Sequence, residues 1–131
     1  MSARQRIAVG HPVDVEIARR AARTLAQENG FSRSKIDDIV VAVSELATNL
    51  LRYANEGKIT LAMVSDAERA GMLIESRDTG PGIADLDLAL QDGYGTGGSY
   101  GDGLPIARRL MDDMRLDSSP AGTVIVAYKW I

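Results

Sequence analysis

The chain has no cysteine, which excludes a disulfide framework and a thiolate metal site. It has one histidine, His11. That residue precedes Pro12 and reads as a turn residue, and a single histidine cannot be assigned to a Ser-His-Asp set on spacing alone. No apolar run approaches the roughly eighteen residues of a membrane span. The polar opening MSARQR leads into no long apolar region, so no signal peptide is expected. Acidic residues outnumber basic ones, 18 to 15, for a net charge of −3. A chain so balanced has no general attraction to nucleic acid or to an anionic membrane. The densest arginines (Arg19, Arg20, Arg23 and Arg108, Arg109) read as solvated helix faces. Repeats, low-complexity tracts and linkers are missing too, and a cytoplasmic location is the default these absences leave.

With 131 residues, 45% apolar and 25% charged, the chain is long enough to bury a core as one domain, residues 1–131. A short strand is expected over 4–9, then a helix over 13–28 with Pro12 in its first turn. On that helix Val13, Ile17, Ala21 and Leu25 recur every four residues, and Asn29-Gly30 stops it. Ser32 or Ser34 caps a second helix over about 34–54. Strands over 58–65 and 72–78 follow, joined by a polar hairpin connection. A short helical turn at 86–90, a helix over 104–111 with Pro105 near its start, and strands over 114–118 and 123–131 complete the layout. The methionines and the tail Tyr128-Lys-Trp130 read as core and edge packing. The pattern predicts an α/β (α+β) two-layer sandwich, with a mixed, mostly antiparallel sheet and helices on one face.

Two stretches carry chemistry. On the second helix Ile36, Val40, Val43, Ala47, Leu50 and Ala54 form an arc facing a core, and Glu45 and Asn49 lie nearly opposite it, one turn apart. Small and apolar residues surround that acid–amide pair where a surface helix would carry Lys and Glu. This is the make-up of a pocket wall, although a solvated face accounts for the pair equally well. The second stretch opens with Asp78-Thr-Gly80-Pro-Gly82 after a strand and closes with six glycines from Gly93 to Gly103, ahead of a helix. Glycines at that density cost backbone entropy, and close approach to an anionic ligand at a helix start explains them. Read singly, Asp78 also suits an Asx turn, and the glycine run also suits a flexible loop. The loop is not a Walker A motif, because the ending G-K-[ST] is absent.

Taken in order, Glu45-Leu-Ala-Thr-Asn49, Asp78-Thr-Gly80-Pro-Gly82 and Gly98-Ser-Tyr-Gly101-Asp-Gly103-Leu104 resemble the three boxes of the GHKL (Bergerat-fold) ATPases. The combination is far more specific than any one box. Over essentially the whole chain, SELATN, DTGPGI, DGYGTGG, GLPIARRLMDD and GTVIVAYKW resemble the RsbT-type switch-protein serine kinases, relatives of the RsbW and SpoIIAB anti-sigma factors. The length differs from that of the multidomain members such as gyrase. No phosphoacceptor-histidine helix of a complete sensor kinase precedes the motifs.

The resemblance implies binding of ATP and Mg²⁺ and phosphorylation of Ser or Thr on STAS-domain antagonist or scaffold partners like RsbS and RsbR. It also implies partner switching in stress signalling, with activation of a PP2C-type phosphatase like RsbU, and leaves room for a homodimer; nucleic acid and membrane are not expected partners. Carried over by position, Glu45 corresponds to the catalytic base, Asn49 to the Mg²⁺ ligand and Asp78 to the adenine-reading acid. The cofactor-binding set is completed by Gly80, Gly82, Ile83, Gly97, Gly98, Gly101, Gly103, Leu104 and Thr123. Asp102 would repel phosphate and is read as a helix cap turned away from it. Thr48 stands where some relatives carry a basic residue, and the lid has no Lys or Arg, so transfer is expected to be slow without a partner. A non-catalytic, ATP-gated module that binds a sigma factor or a phosphatase is the alternative, and a plain ATP hydrolase is the third.

Overall fold

The computed structural model of the protein describes residues 4–54, 56–80 and 103–131. Among these, strand β1 (Gln5–Val9) leads into helices α1 (Pro12–Glu28) and α2 (Arg33–Tyr53). The hairpin β2 (Gly57–Ser65) and β3 (Ala70–Arg77) follows, then helix α3 (Gly103–Leu110) and the hairpin β4 (Asp113–Ser119) and β5 (Gly122–Trp130). Local chemistry sets these limits. Asp14 reaches back to the N–H groups of Gly10 and His11 at 3.0 Å each, satisfying donors that a helix start leaves unpaired. Gly30, at φ 81°, takes the left-handed conformation after the α1 C-cap. Of the two serines offered as caps for α2, Ser32 takes the role, accepting from Lys35 N at 3.3 Å. The Asp66 carboxylate accepts from Glu68 N and Arg69 N and closes the first hairpin.

The sheet order is β1-β2-β3-β5-β4, and every described pairing is antiparallel. Strand β4 runs parallel to β3, but β5 inserts between them, so the crossover through α3 creates no parallel ladder. Helices cover one face. Along β5 the residues Thr123, Ile125, Ala127 and Lys129 are buried, and their alternates are only half-buried. On that other face Tyr128 and Trp130 stack, with ring centroids 5.6 Å apart, and Arg69 lies over the Trp130 ring.

Helix α2 is the centre of the helical layer, touching α1, α3 and strands β1, β2 and β3. Its buried surface is accordingly wider than the expected arc. Ile39, Ala42 and Leu46 are fully buried alongside Val43 and Ala47, because α1, α3 and the sheet close on it from three sides. Helix α1 departs from expectation in a different way. Val13 and Ile17 are 63% and 48% exposed, whereas Ala18, Ala22, Leu25 and Ala26 make the contact. An alanine seam lets two helices approach closely, and it prevailed over the bulkier stripe. The helical turn expected at 86–90 lies outside the described residues.

Truncating Leu46 to Ala removes a fully buried side chain and should cost about 2–5 kcal/mol, read from the urea unfolding midpoint. The two backbone donors hold the Asp14 carboxyl below the ordinary aspartate range. Its support of α1 is therefore complete above the unfolded pKa and lost as pH falls through the depressed folded value. An NMR titration of this carboxyl should show that displaced midpoint, and Asp14→Asn should remove the dependence.

Candidate functional site

Three elements meet at one end of the sheet: the second half of α2, the start of α3, and the junction between the end of β3 and the start of β5. The expected pair on α2 is found there. Asn49 is buried, 5% exposed, and Glu45 is half-buried one turn earlier. Their neighbour is the backbone of Gly103. A Cβ at that position would stand 3.0 Å from Glu45 Oε2 and 3.2 Å from both side-chain amide atoms of Asn49. A side chain on residue 103 would press on both functional groups, which would have to give by a few tenths of an ångström. Leu104, Pro105 and Ala107 then bury against the helical layer and hold α3 in place.

Asn49 Nδ2 is buried and, among the described residues, is the one side-chain polar atom so buried without a hydrogen-bond partner. An amide donor left in that state costs about 1–3 kcal/mol, which is sustained where a ligand later supplies the acceptor. The amide can present Oδ1 to a cation and Nδ2 to an anionic oxygen. Among the described residues no three His, Cys, Asp or Glu side chains converge on a metal position. A divalent cation here would thus draw most of its ligands from substrate oxygens and water, the habit of Mg²⁺. The orphan amide and the glycine cradle at the positive end of α3 fit a phosphate-bearing ligand with its cation.

Asp78 follows β3 directly and is fixed by backbone on two sides. Its Oδ1 accepts from Gly80 N at 2.8 Å and from Thr123 N at 3.3 Å, and its own N–H donates to Thr123 O at 3.0 Å. With Oδ1 committed, Oδ2 has no partner among the described residues and is available to a donor. The Asx turn and the ligand-reading role, alternatives in the sequence, are thus compatible through different oxygens. Gly80 sits against Ala54 at the end of α2, which ties this turn to the helix carrying Glu45 and Asn49. Thr123 is buried, and its hydroxyl bonds to Ser118 Oγ at 2.9 Å across the hairpin. A recess of about 250 Å³ opens beside Asp78 between Arg77, Asp117 and Val124. It includes neither Glu45 nor Asn49, so the centre of the site is set by the α2–α3 contact.

Gly122 is a site residue that the sequence analysis does not single out: it has φ 144°, and a Cβ there would overlap the carbonyl oxygen of Asp78. A glycine at the first position of a strand is a known sign of close backbone approach, and that was the available signal. Ser118 had no such signal, since only strand pairing brings it opposite Thr123. Gly82, Ile83, Gly97, Gly98, Gly101 and Asp102 lie outside the described residues.

Residues 10–129 match the family described as histidine kinase-like ATPase domain. The chain is 41% identical over 119 residues to the serine/threonine-protein kinase RsbT of Bacillus subtilis, covering 90% of each chain. It is 32% identical over 123 residues to the anti-sigma F factor of Caldanaerobacter subterraneus, covering 87% of this chain and 83% of that one. Its fold is shared with a crystal structure of RsbU and RsbW domains from Mycobacterium tuberculosis, with a TM-score of 0.70 at 18% identity. That match covers 98% of this chain and 32% of the other. The SiaB–SiaC complex of Pseudomonas aeruginosa gives a TM-score of 0.64 at 14% identity, covering 98% and 89%.

Replacing Gly103 by Ala adds a methyl against Glu45 and Asn49 while improving helix propensity. Thermal stability should hold or rise, and calorimetric affinity for MgATP should fall about tenfold, or roughly 1.4 kcal/mol.

Proposed function

The chain belongs to the histidine kinase-like ATPase domain family, on its RsbT-type serine/threonine-kinase branch, and from that premise we propose that it phosphorylates a STAS-domain partner and thereby switches partners in stress signalling. The observation that carries this reading is the buried, unpartnered amide of Asn49, one turn from Glu45 and against the start of α3. Bound ATP and Mg²⁺ supply the transferable phosphoryl group and the neutralisation of its charge. Asn49 offers its amide oxygen to the cation, and its N–H₂ donates to a phosphate oxygen. Glu45, half-buried beside it, accepts the proton of the incoming Ser or Thr hydroxyl. Asp78 receives the adenine amino group on Oδ2, Thr123 braces that side, and Gly80 and Gly103 keep the backbone close. Leu104, fully buried at the start of α3, would support the backbone that faces the phosphates. Gly82, Ile83, Gly97, Gly98 and Gly101 complete the proposed contacts.

The partners proposed are STAS-domain antagonists or scaffolds like RsbS and RsbR, and a PP2C-type phosphatase like RsbU, in the cytoplasm. Whole-chain similarity to RsbT supports them. No described helix is long and apolar enough to cross a membrane, and the net charge of −3 gives no pull toward nucleic acid. A homodimer is the association we propose should partner exchange require a second copy. The similarity to anti-sigma F factors favours a second reading, an ATP-gated binding module without transfer. In that case an Asp78→Asn protein that cannot hold ATP would still bind its partner in full.

The deciding experiment is transfer from γ-labelled ATP with Mg²⁺ to a STAS-domain protein encoded nearby. Glu45→Ala should keep ATP affinity and reduce transfer by about 10²–10⁴-fold, the usual contribution of a positioned base. Equal loss of binding and transfer would contradict the role given to Glu45, and no transfer by the intact protein despite tight ATP binding would favour the binding module.

A further inference from the structure

Lys129 lies on the helix-covered face of β5 and is 8% exposed. Its ammonium donates to the carbonyl oxygen of Leu110, the last residue of α3, and to Asp38 Oδ2 on α2 at 3.2 Å, with Asp112 Oδ1 at 3.9 Å. The neighbouring backbone reinforces the contact. Trp130 N donates to Asp112 Oδ2 at 2.7 Å, and Asp112 N donates to Tyr128 O at 2.9 Å. The C-terminal end of α3 is therefore bolted to both β5 and α2.

The spacing gives this bolt a consequence. Asp38 and Glu45 are seven residues apart on α2, two turns, and so share a face. Gly103 and Leu110 are likewise seven apart on α3. Each interval rises about 10.5 Å, and α3 meets Glu45 at Gly103 and is joined to Asp38 at Leu110 through Lys129. Over these matched intervals the two helices thus run antiparallel, and one end of α3 is fixed by Lys129 while the other faces Glu45 and Asn49. Positioning and stability are separable here, because the Asp38 and Asp112 side chains, 32% and 39% exposed, keep access to water when the lysine is replaced.

We propose that Lys129 is a positioning residue: by holding the last carbonyl of α3 it sets the axial position of that helix, and hence where its first N–H groups and Gly103 meet the phosphate end of the nucleotide. The inference rests on the nucleotide site proposed above. It separates the two ends of that site, since Asp78 is held by Gly80 and Thr123 without involving α3.

The test uses Lys129→Met in the full chain, with Lys129→Gln carrying the same expectation should the first fail to fold. Three quantities are measured: affinity for MgATP, affinity for adenosine by competition, and amide hydrogen exchange of α3 without nucleotide. The expected result is a loss of MgATP affinity of about tenfold or more, adenosine affinity within about twofold, and faster exchange in α3 at a urea midpoint near that of the parent. Asp38→Asn should shift the same quantities in the same direction but less. Loss of both affinities together, or unchanged α3 exchange, would overturn the role of Lys129. An unaltered protein that binds neither ligand would instead overturn the nucleotide site, and this inference with it.

Discussion

Strand β5 holds this molecule at both ends, and the site depends on that double attachment. Its start is clamped to Asp78 by one backbone hydrogen bond, Asp78 N–H to Thr123 O, and by the Asp78 carboxylate accepting from Thr123 N, in a space only glycine at 122 leaves open. Its end grips α3 and α2 through Lys129 and Trp130, and the Trp130 carbonyl also accepts from Lys35 Nζ at 3.0 Å. Between these points the strand lies in the sheet interior, paired on both edges by β3 and β4. A ladder so embedded has little freedom to shift, because a slip of one residue would turn Ile125 and Ala127 out of the core. The placement of Asp78 and of α3 therefore comes from one rigid element.

Helix α2 contributes the functional groups under a different constraint. It is packed on three sides, which leaves a narrow strip for chemistry, and that strip contains Glu45 and Asn49. Burial fixes the rotamers of such side chains and removes water that would compete for them. The cost is visible in the Asn49 donor, which finds no partner among the described residues. A ligand that completes this bond stabilises the folded state in proportion to its affinity, so occupancy and stability should rise together in this family member. The carboxylate of Glu45 is close to the cradle yet half-exposed.

The lid sequence places the remaining burden elsewhere. It supplies no cationic side chain. Charge on a triphosphate must then be met by a cation, by backbone donors and by the dipole of α3. This makes the placement of α3 unusually important here, and its two-ended attachment to α2 and β5 is a physical answer to that demand.

Much of this was legible in the chain. Element limits followed from caps, turns and periodicity to within about two residues, since those signals are local. The shared face of Glu45 and Asn49 followed from helical periodicity. What only the tertiary structure decided was long-range. The seam of α1 went to Ala18, Ala22 and Ala26 because α2 could come close there. Ile39 and Leu46 were buried because α1, the following helix α3 and the sheet all pack on α2. Gly122 and Lys129 acquired their roles from Asp78 and from Leu110, residues 44 and 19 positions away in sequence. Local periodicity reports which faces an element can offer; which face is used depends on the partner that arrives, and β5, the last strand of the chain, arrives between β3 and β4 only when the fold closes.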